Sequence, residues 1–128
     1  MTDIIIIVLS GVKPTPLNRL YKPVCKYVGK CLASIILSEE SRQQKKLIQM
    51  EVLRQKQNKM LEGHLKFYMD VDVKKIKSPD IDALLKQLFD ALEDLCYKND
   101  NQILDLRVRK HLNAGEDKLT ILIEKVDI

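Results

Sequence analysis

The sequence predicts an α+β fold: one domain over residues 1–128, with a mixed β-sheet packed by two main α-helices. Three observations predict it. Residues 64–75 alternate apolar and polar, the period of a half-buried strand. Residues 80–96 repeat apolar side chains at helical spacing, through Ile81, Leu84, Leu85, Leu88, Phe89, Leu92 and Leu95. The chain has 128 residues, 45% of them hydrophobic and 31% charged, which suits one modest core.

The elements follow in order. Ile4–Leu9 is an apolar run too short to span a bilayer, and Asp3 stands where a signal peptide would be basic. It reads as a buried strand over about 3–9. With no export signal, the protein is expected in the cytoplasm of its cell or of a virus-infected host. Residues 11–34 read as an irregular loop, because Gly11, Pro14, Pro16, Pro23 and Gly29 interrupt any regular element. Residues 34–37 form a short apolar strand. Ser38 then caps a helix over about 39–61, favoured at its start by Glu39 and Glu40 and stopped before Gly63. Its apolar face, Leu47, Ile48, Met50, Val52 and Leu53, is narrow, as suits a helix covering a sheet or lying at a dimer interface.

The strand over 64–75 turns Leu65, Phe67, Met69, Val71 and Val73 inward, and His64, Lys66, Tyr68, Asp70, Asp72 and Lys74 outward. Ser78 and Pro79 open the second helix, Ser as cap and Pro at the first helical position. Strands over 103–110 and 119–125 follow, and Asn113-Ala-Gly115 between them is a hairpin turn signal.

The chemistry concentrates at 78–110. Asp80 and Asp82 stand at the entrance of the second helix, where the first residue is not yet helical and both carboxylates can converge. Asp100 occupies a polar turn just before a strand. If that strand runs beside the helix, Asp100 can approach the pair. Three hard oxygen donors suit Mg2+ when it also binds phosphate. Phosphodiester hydrolysis is the chemistry open to such a site. The plainer reading is that acids are common in a first helical turn, that Asp82, Lys86 and Asp90 form an i,i+4 ladder, and that Asp100 is ordinary turn chemistry. Asp70-Val-Asp72 is a second Asp-x-Asp, flanked by Lys66 and Lys74, and reads as surface charge.

Charge divides unevenly. Residues 1–77 carry 15 Lys/Arg against 7 Asp/Glu, a net +8; residues 78–128 carry 7 against 11, a net −4. A basic part joined to an acidic part suits a metal-dependent nuclease, with cations on the phosphate backbone and acids kept for the metal. Lys13, Arg19, Lys22, Lys26 and Lys30 interleave with Tyr21 and Tyr27 in the first loop, the composition of a phosphate-gripping segment able to stack on an unpaired base. Cys25, Cys31 and Cys96 lack zinc spacing and read as reduced thiols. Neither a Walker A loop nor a dinucleotide glycine fingerprint occurs, so no nucleotide cofactor is expected.

Pro79-Asp-Ile-Asp-Ala-Leu-Leu-Lys-Gln-Leu-Phe-Asp-Ala-Leu, then Asn99-Asp-Asn-Gln-Ile, then Arg107-Val-Arg-Lys, resembles the signature of the RusA-type Holliday junction resolvases. Pro14-Thr-Pro-Leu-Asn-Arg-Leu-Tyr is similar to the family's first loop, and Leu37-Ser-Glu-Glu-Ser-Arg to its Ser-Glu-initiated helix. The resemblance covers nearly the whole chain. It departs at Asn99, where the family's pattern has an Asp, and at Pro79, where a basic residue is often found.

What the resemblance implies is an Mg2+-dependent homodimeric endonuclease resolving four-way DNA junctions, with Mn2+ as a substitute ion and no membrane partner. Asp80, Asp82 and Asp100 would hold the metal, and Lys86 would contact the scissile phosphate or stabilise developing charge. Asn18, Arg19, Tyr21, Lys22, Lys26 and Lys30 would hold the junction arms; Arg107 and Arg109, which share a face, would contact the scissile strand if that face lies beside Asp100, and are otherwise exposed sheet charges. Two rivals are a metal-dependent phosphohydrolase of small substrates and a non-catalytic protein binding branched or single-stranded DNA.

Overall fold

The computed structural model describes residues 3–10, 21–25, 33–37, 39–74, 81–112 and 114–127; at 21–25, 33–37, 39–41, 82 and 83 it describes the backbone alone. The elements are β1 (Ile4–Ser10), β2 (Tyr21–Cys25), β3 (Ala33–Leu37), α1 (Glu39–Arg54), β4 (Leu65–Asp72), α2 (Ile81–Leu92), a single 3-10 turn (Asp100–Gln102), β5 (Ile103–His111) and β6 (Lys118–Lys125). A four-stranded mixed sheet has the order β1-β6-β4-β5, and β2 pairs with β3 in a separate two-stranded sheet. The α+β architecture of two helices on a mixed sheet stands as the sequence predicts.

The alternation in β4 does the work expected of it. Leu65, Phe67, Met69 and Val71 are buried and join Ile5, Ile7, Leu9, Leu119, Ile121 and Ile123 from the neighbouring strands in one core. Leu84, Leu88, Ala91 and Leu92 of α2 and Ile48 and Val52 of α1 close that core. Phe67 meets Phe89 edge-to-face, with ring centroids 5.2 Å apart. Gln49 Nε2 donates to Ala91 O (3.3 Å), tying α1 to α2.

β4 and β5 run parallel, with Lys66 opposite Asp105 and Asp72 opposite His111. Parallel neighbours need a crossover, and α2 supplies it. The helix therefore starts beyond the C-terminal end of β4 and returns to its N-terminal end. There Met60 N donates to Leu95 O (3.2 Å) and Leu61 N to Cys96 O (2.8 Å).

Several expectations are corrected. The Asn113-Ala-Gly115 signal does not make a hairpin: β6 lies on the other side of β4 from β5 and pairs with β4 and β1. The connection reverses direction while crossing the end of β4, where Ala114 N donates to Val73 O (2.9 Å) and Lys74 N to Asp117 Oδ1 (2.8 Å). Turn residues mark a reversal, but pairing partners are chosen by burial. The 11–34 loop contains β2, concealed in sequence by Pro23, which a two-stranded ribbon tolerates.

Both helices stop early. α1 ends at Arg54 rather than 61, since Lys56 takes φ +56°, and α2 ends at Leu92 rather than 96, since Asp94 takes φ +66°. Of the α1 apolar face only Ile48 and Val52 are buried, while Leu47, Met50 and Leu53 are exposed.

β1 is an edge strand buried on one face, not on both: Ile6 and Val8 are exposed. Its outer backbone is partnered by side chains from the segment after α1. Gln57 Oε1 accepts from Ile6 N (3.0 Å), Gln55 Oε1 accepts from Val8 N (3.1 Å), Gln55 Nε2 donates to Val8 O (2.7 Å), and Lys59 Nζ donates to Ile4 O (3.0 Å). Covering an open edge in this way removes a template for pairing with another chain. Among the described residues, no helix is long and apolar enough to cross a membrane.

Candidate nuclease site

Asp100 opens the 3-10 turn that leads into β5, and it is exposed. Asn99 is the cap of that turn: its Oδ1 accepts from Asn101 N (2.9 Å). Gln102 reaches back, its Oε1 accepting from Lys98 N (2.9 Å) and Asn99 N (3.0 Å). This is a capping box, in which two backbone N–H groups at the start of the turn are satisfied reciprocally. Gln102 Nε2 donates in the other direction, to Leu61 O (3.1 Å) and Gly63 O (2.9 Å). The turn is thus bound to the strand-initiating segment before β4. Lys98 and Gln102, on either side of Asp100 in the chain, line an open cleft with Leu61 and Gly63.

The surroundings of Asp100 are acidic. Burial pushes the Tyr97 hydroxyl well above its usual range, and negative charge at Cys96, Asp100, Glu93 and Asp90 adds to the effect. Asp100 therefore shares a neighbourhood with the C-terminal end of α2. The Tyr97 hydroxyl donates to Phe89 O (3.2 Å) in the last turns of that helix.

Asp82 is the second residue of α2, at the opposite end. Ten residues separate it from Leu92, so the helix rise alone sets them ~15 Å apart. The parallel crossover thus sets Asp82 and Asp100 beyond opposite ends of α2 within the chain. Asp80 lies outside the described residues. Among the described residues no group of three or more His, Cys, Asp or Glu could hold a metal. The donors fit a hard divalent ion in kind, being carboxylates, with Asp100 open to solvent. Lys86 is exposed, one turn after Asp82.

Arg107 and Arg109 lie on the sheet face turned away from the core, alternating with Val108, which packs against it. The Arg107 guanidinium stacks over the Tyr68 ring at 4.9 Å, and its Nε is 3.5 Å from Asp105 Oδ1. Tyr68 in turn donates to Asp105 Oδ2 (2.9 Å). Arg109 stands opposite Asp70 in the register. Asp70 and Asp72 have cross-strand partners of their own: His111 Nε2 at 3.2 Å from Asp70 and Lys118 Nζ at 3.9 Å from Asp72. They are the surface charges the sequence suggested, although Lys66 pairs with Glu124 instead (3.5 Å). Tyr21 and Lys22 begin β2; Asn18, Arg19, Lys26 and Lys30 lie outside the described residues.

The Gln102 clamp was missed in the sequence, although Asn99 and Gln102 at a three-residue separation spell a capping box.

The profile of a family described as endodeoxyribonuclease RusA matches residues 13–124, most of the chain. The chain belongs to the RusA endodeoxyribonuclease family. The family's description names an endodeoxyribonuclease, a hydrolase of DNA phosphodiester bonds. A stretch of 48 residues, 38% of this chain, is also 40% identical to a Bacillus subtilis (strain 168) protein named "Uncharacterized protein YqaN". That match spans 33% of the relative's length. The matched RusA region contains every residue of the candidate site, from Asn18 to Arg109.

Proposed function

We propose that this RusA-family chain is an Mg2+-dependent endonuclease that resolves four-way DNA junctions by paired symmetric cuts, acting as a homodimer. The observation that carries this reading, beyond family membership, is that Asp82 and Asp100 stand at opposite ends of one β-α-β crossover. A second copy related by a two-fold axis can bring its Asp100 to the α2 entrance of the first, and the reverse. An isologous pairing of this kind yields two equivalent sites from two chains. A four-way junction has two-fold symmetry, so two sites match two strands.

In each site Asp80 and Asp82 of one copy and Asp100 of the other hold the divalent ion, Mg2+ with Mn2+ as a substitute. The bound ion supplies activation of water and neutralisation of phosphate charge. The chain's own contribution is orientation. The start of α2 favours the carboxylate charge at Asp82. Lys86, one turn along, offsets negative charge building on the scissile phosphate. Water oxygen forms a bond to phosphorus as one ester P–O bond breaks; the water gives up a proton to solvent and the departing deoxyribose oxygen takes one up, leaving a phosphate and a hydroxyl at the nick.

Asn18, Arg19, Tyr21, Lys22, Lys26 and Lys30 grip the junction arms through backbone phosphates, with Tyr21 able to stack on an unpaired base. Arg107 and Arg109 contact phosphate along the open sheet face. Junction choice rests on shape and backbone contacts.

The test is an end-labelled synthetic junction and a linear duplex of the same sequence, each with Mg2+ or with chelator. The expected result is paired nicks in the junction alone, and only with Mg2+. Turnover of a small chromogenic phosphodiester with no preference for the junction would instead support a phosphohydrolase. Tight junction binding without nicks would support a non-catalytic DNA-binding protein.

A further inference from the structure

The carboxamide of Gln102 has its full hydrogen-bonding capacity engaged. Its two N–H groups donate to Leu61 O and Gly63 O (3.1 and 2.9 Å), and its oxygen accepts from Lys98 N and Asn99 N (2.9 and 3.0 Å). Each partner is a backbone group, and the four come from two segments far apart in the chain. One segment, 61–63, is itself fixed to the residues after α2 by the Leu61 N to Cys96 O bond (2.8 Å). The other is the turn that carries Asp100. The carboxamide is therefore the bridge between a rigid platform and an exposed acid. Asp90 and Glu93 lie near enough to Tyr97 to act on it together with Asp100.

We propose that Gln102 is a positioning residue of the nuclease site, fixing Asp100 for metal ligation by clamping its turn to the 61–63 backbone. This rests on Asp100 being a metal ligand. Only a primary amide on a side chain of this length meets all four partners. Gln102→Glu would keep the acceptors but turn oxygen toward two carbonyl oxygens, and Gln102→Met would keep length and shape with no donor. Groups that orient a ligand without touching the metal typically govern affinity for it by 10–100-fold, roughly, when removed.

The experiment compares wild type, Gln102→Glu, Gln102→Met and Asp100→Asn. The readouts are junction affinity in chelator, thermal midpoint, and cleavage as a function of Mg2+ concentration. For both Gln102 variants the Mg2+ concentration giving half-maximal cleavage should rise about tenfold or more. Junction affinity in chelator should change less than about twofold, and cleavage should recover at high Mg2+. Asp100→Asn should not recover at any Mg2+ concentration.

If Asp100→Asn titrates like wild type, the assignment of Asp100 falls, and this proposal with it. If Asp100→Asn is inactive while both Gln102 variants keep the wild-type Mg2+ dependence, the positioning role alone is wrong. A parallel loss of thermal midpoint and of cleavage at all Mg2+ levels, or failure of both variants to fold, would make Gln102 a stability residue and overturn the proposal.

Discussion

Asp82 and Asp100 are separated by the whole length of α2, the first at its entrance and the second beyond its exit. Both are proposed to hold one metal, so each is expected to be indispensable. Asp82→Asn and Asp100→Asn should each reduce single-turnover junction cleavage by about 100-fold or more, comparable to losing a preorganised electrostatic group. Junction binding should persist or tighten, because a carboxylate that repels phosphate has been neutralised. Gel-shift titration in chelator beside a cleavage time course checks both.

Asn99 departs from the family's Asp, and its observed work is to cap. The Asn99 side chain accepts from Asn101 N (2.9 Å), a bond an aspartate makes equally well. Asn99→Asp should leave the cleavage rate within about threefold of wild type, while Asn99→Ala should cost about 1 kcal/mol of stability. Urea denaturation and a cleavage time course on the two variants separate capping from catalysis. A gain of about tenfold or more in Asn99→Asp would mean that the missing carboxylate is catalytic.

Much of this molecule could be read before its coordinates. The alternation through Leu65, Phe67, Met69 and Val71 fixed both a strand and its inner face, and the Leu84–Leu88–Leu92 spacing fixed a helix and its buried side. Local pattern carries such information because burial is periodic. Which strands pair is not local. The reversal after β5 was visible at Gly115, yet β4 lies between β5 and β6, a pairing that a turn signal does not specify. The placing of Asp100 relative to α2 is not local either: only the parallel register of β4 with β5 decides which end of α2 meets the turn. β2 was hidden by Pro23.

Cys96 is fully buried, and burial pushes its thiol up to about 12. In the unfolded chain the thiol ionises near its ordinary value, about 8.5, so the folded state binds the proton more tightly above that pH. Stability from this group is complete below about pH 8.5 and is lost as pH rises toward 12. Iodoacetamide at about pH 8, below the ordinary thiol value, should leave Cys96 unmodified in the native protein and label it in denaturant, as peptide mass mapping would show. Rapid native labelling of Cys96 would contradict its place in the core.

Phe67 is fully buried on the central strand and meets Phe89 edge-to-face. Phe67→Ala removes that contact and opens a cavity beneath α2, at a cost of about 3–5 kcal/mol. Urea unfolding followed by circular dichroism should show a midpoint lowered to match, or no folded baseline. A loss under about 1 kcal/mol would mean that β4 and α2 are not packed as described.

The sharing of each site between two copies is tested most directly by mixing two inactive variants. Asp82→Asn and Asp100→Asn chains, unfolded together and refolded at equal concentration, should give heterodimers in roughly half of the dimers. Each heterodimer then holds one intact site, with Asp82 from one chain and Asp100 from the other, and one doubly impaired site. The predicted result is recovery of single-strand nicking of a four-way junction by the mixture, where each variant alone is inactive. A mixture that forms heterodimers and remains as inactive as its parents would contradict the account.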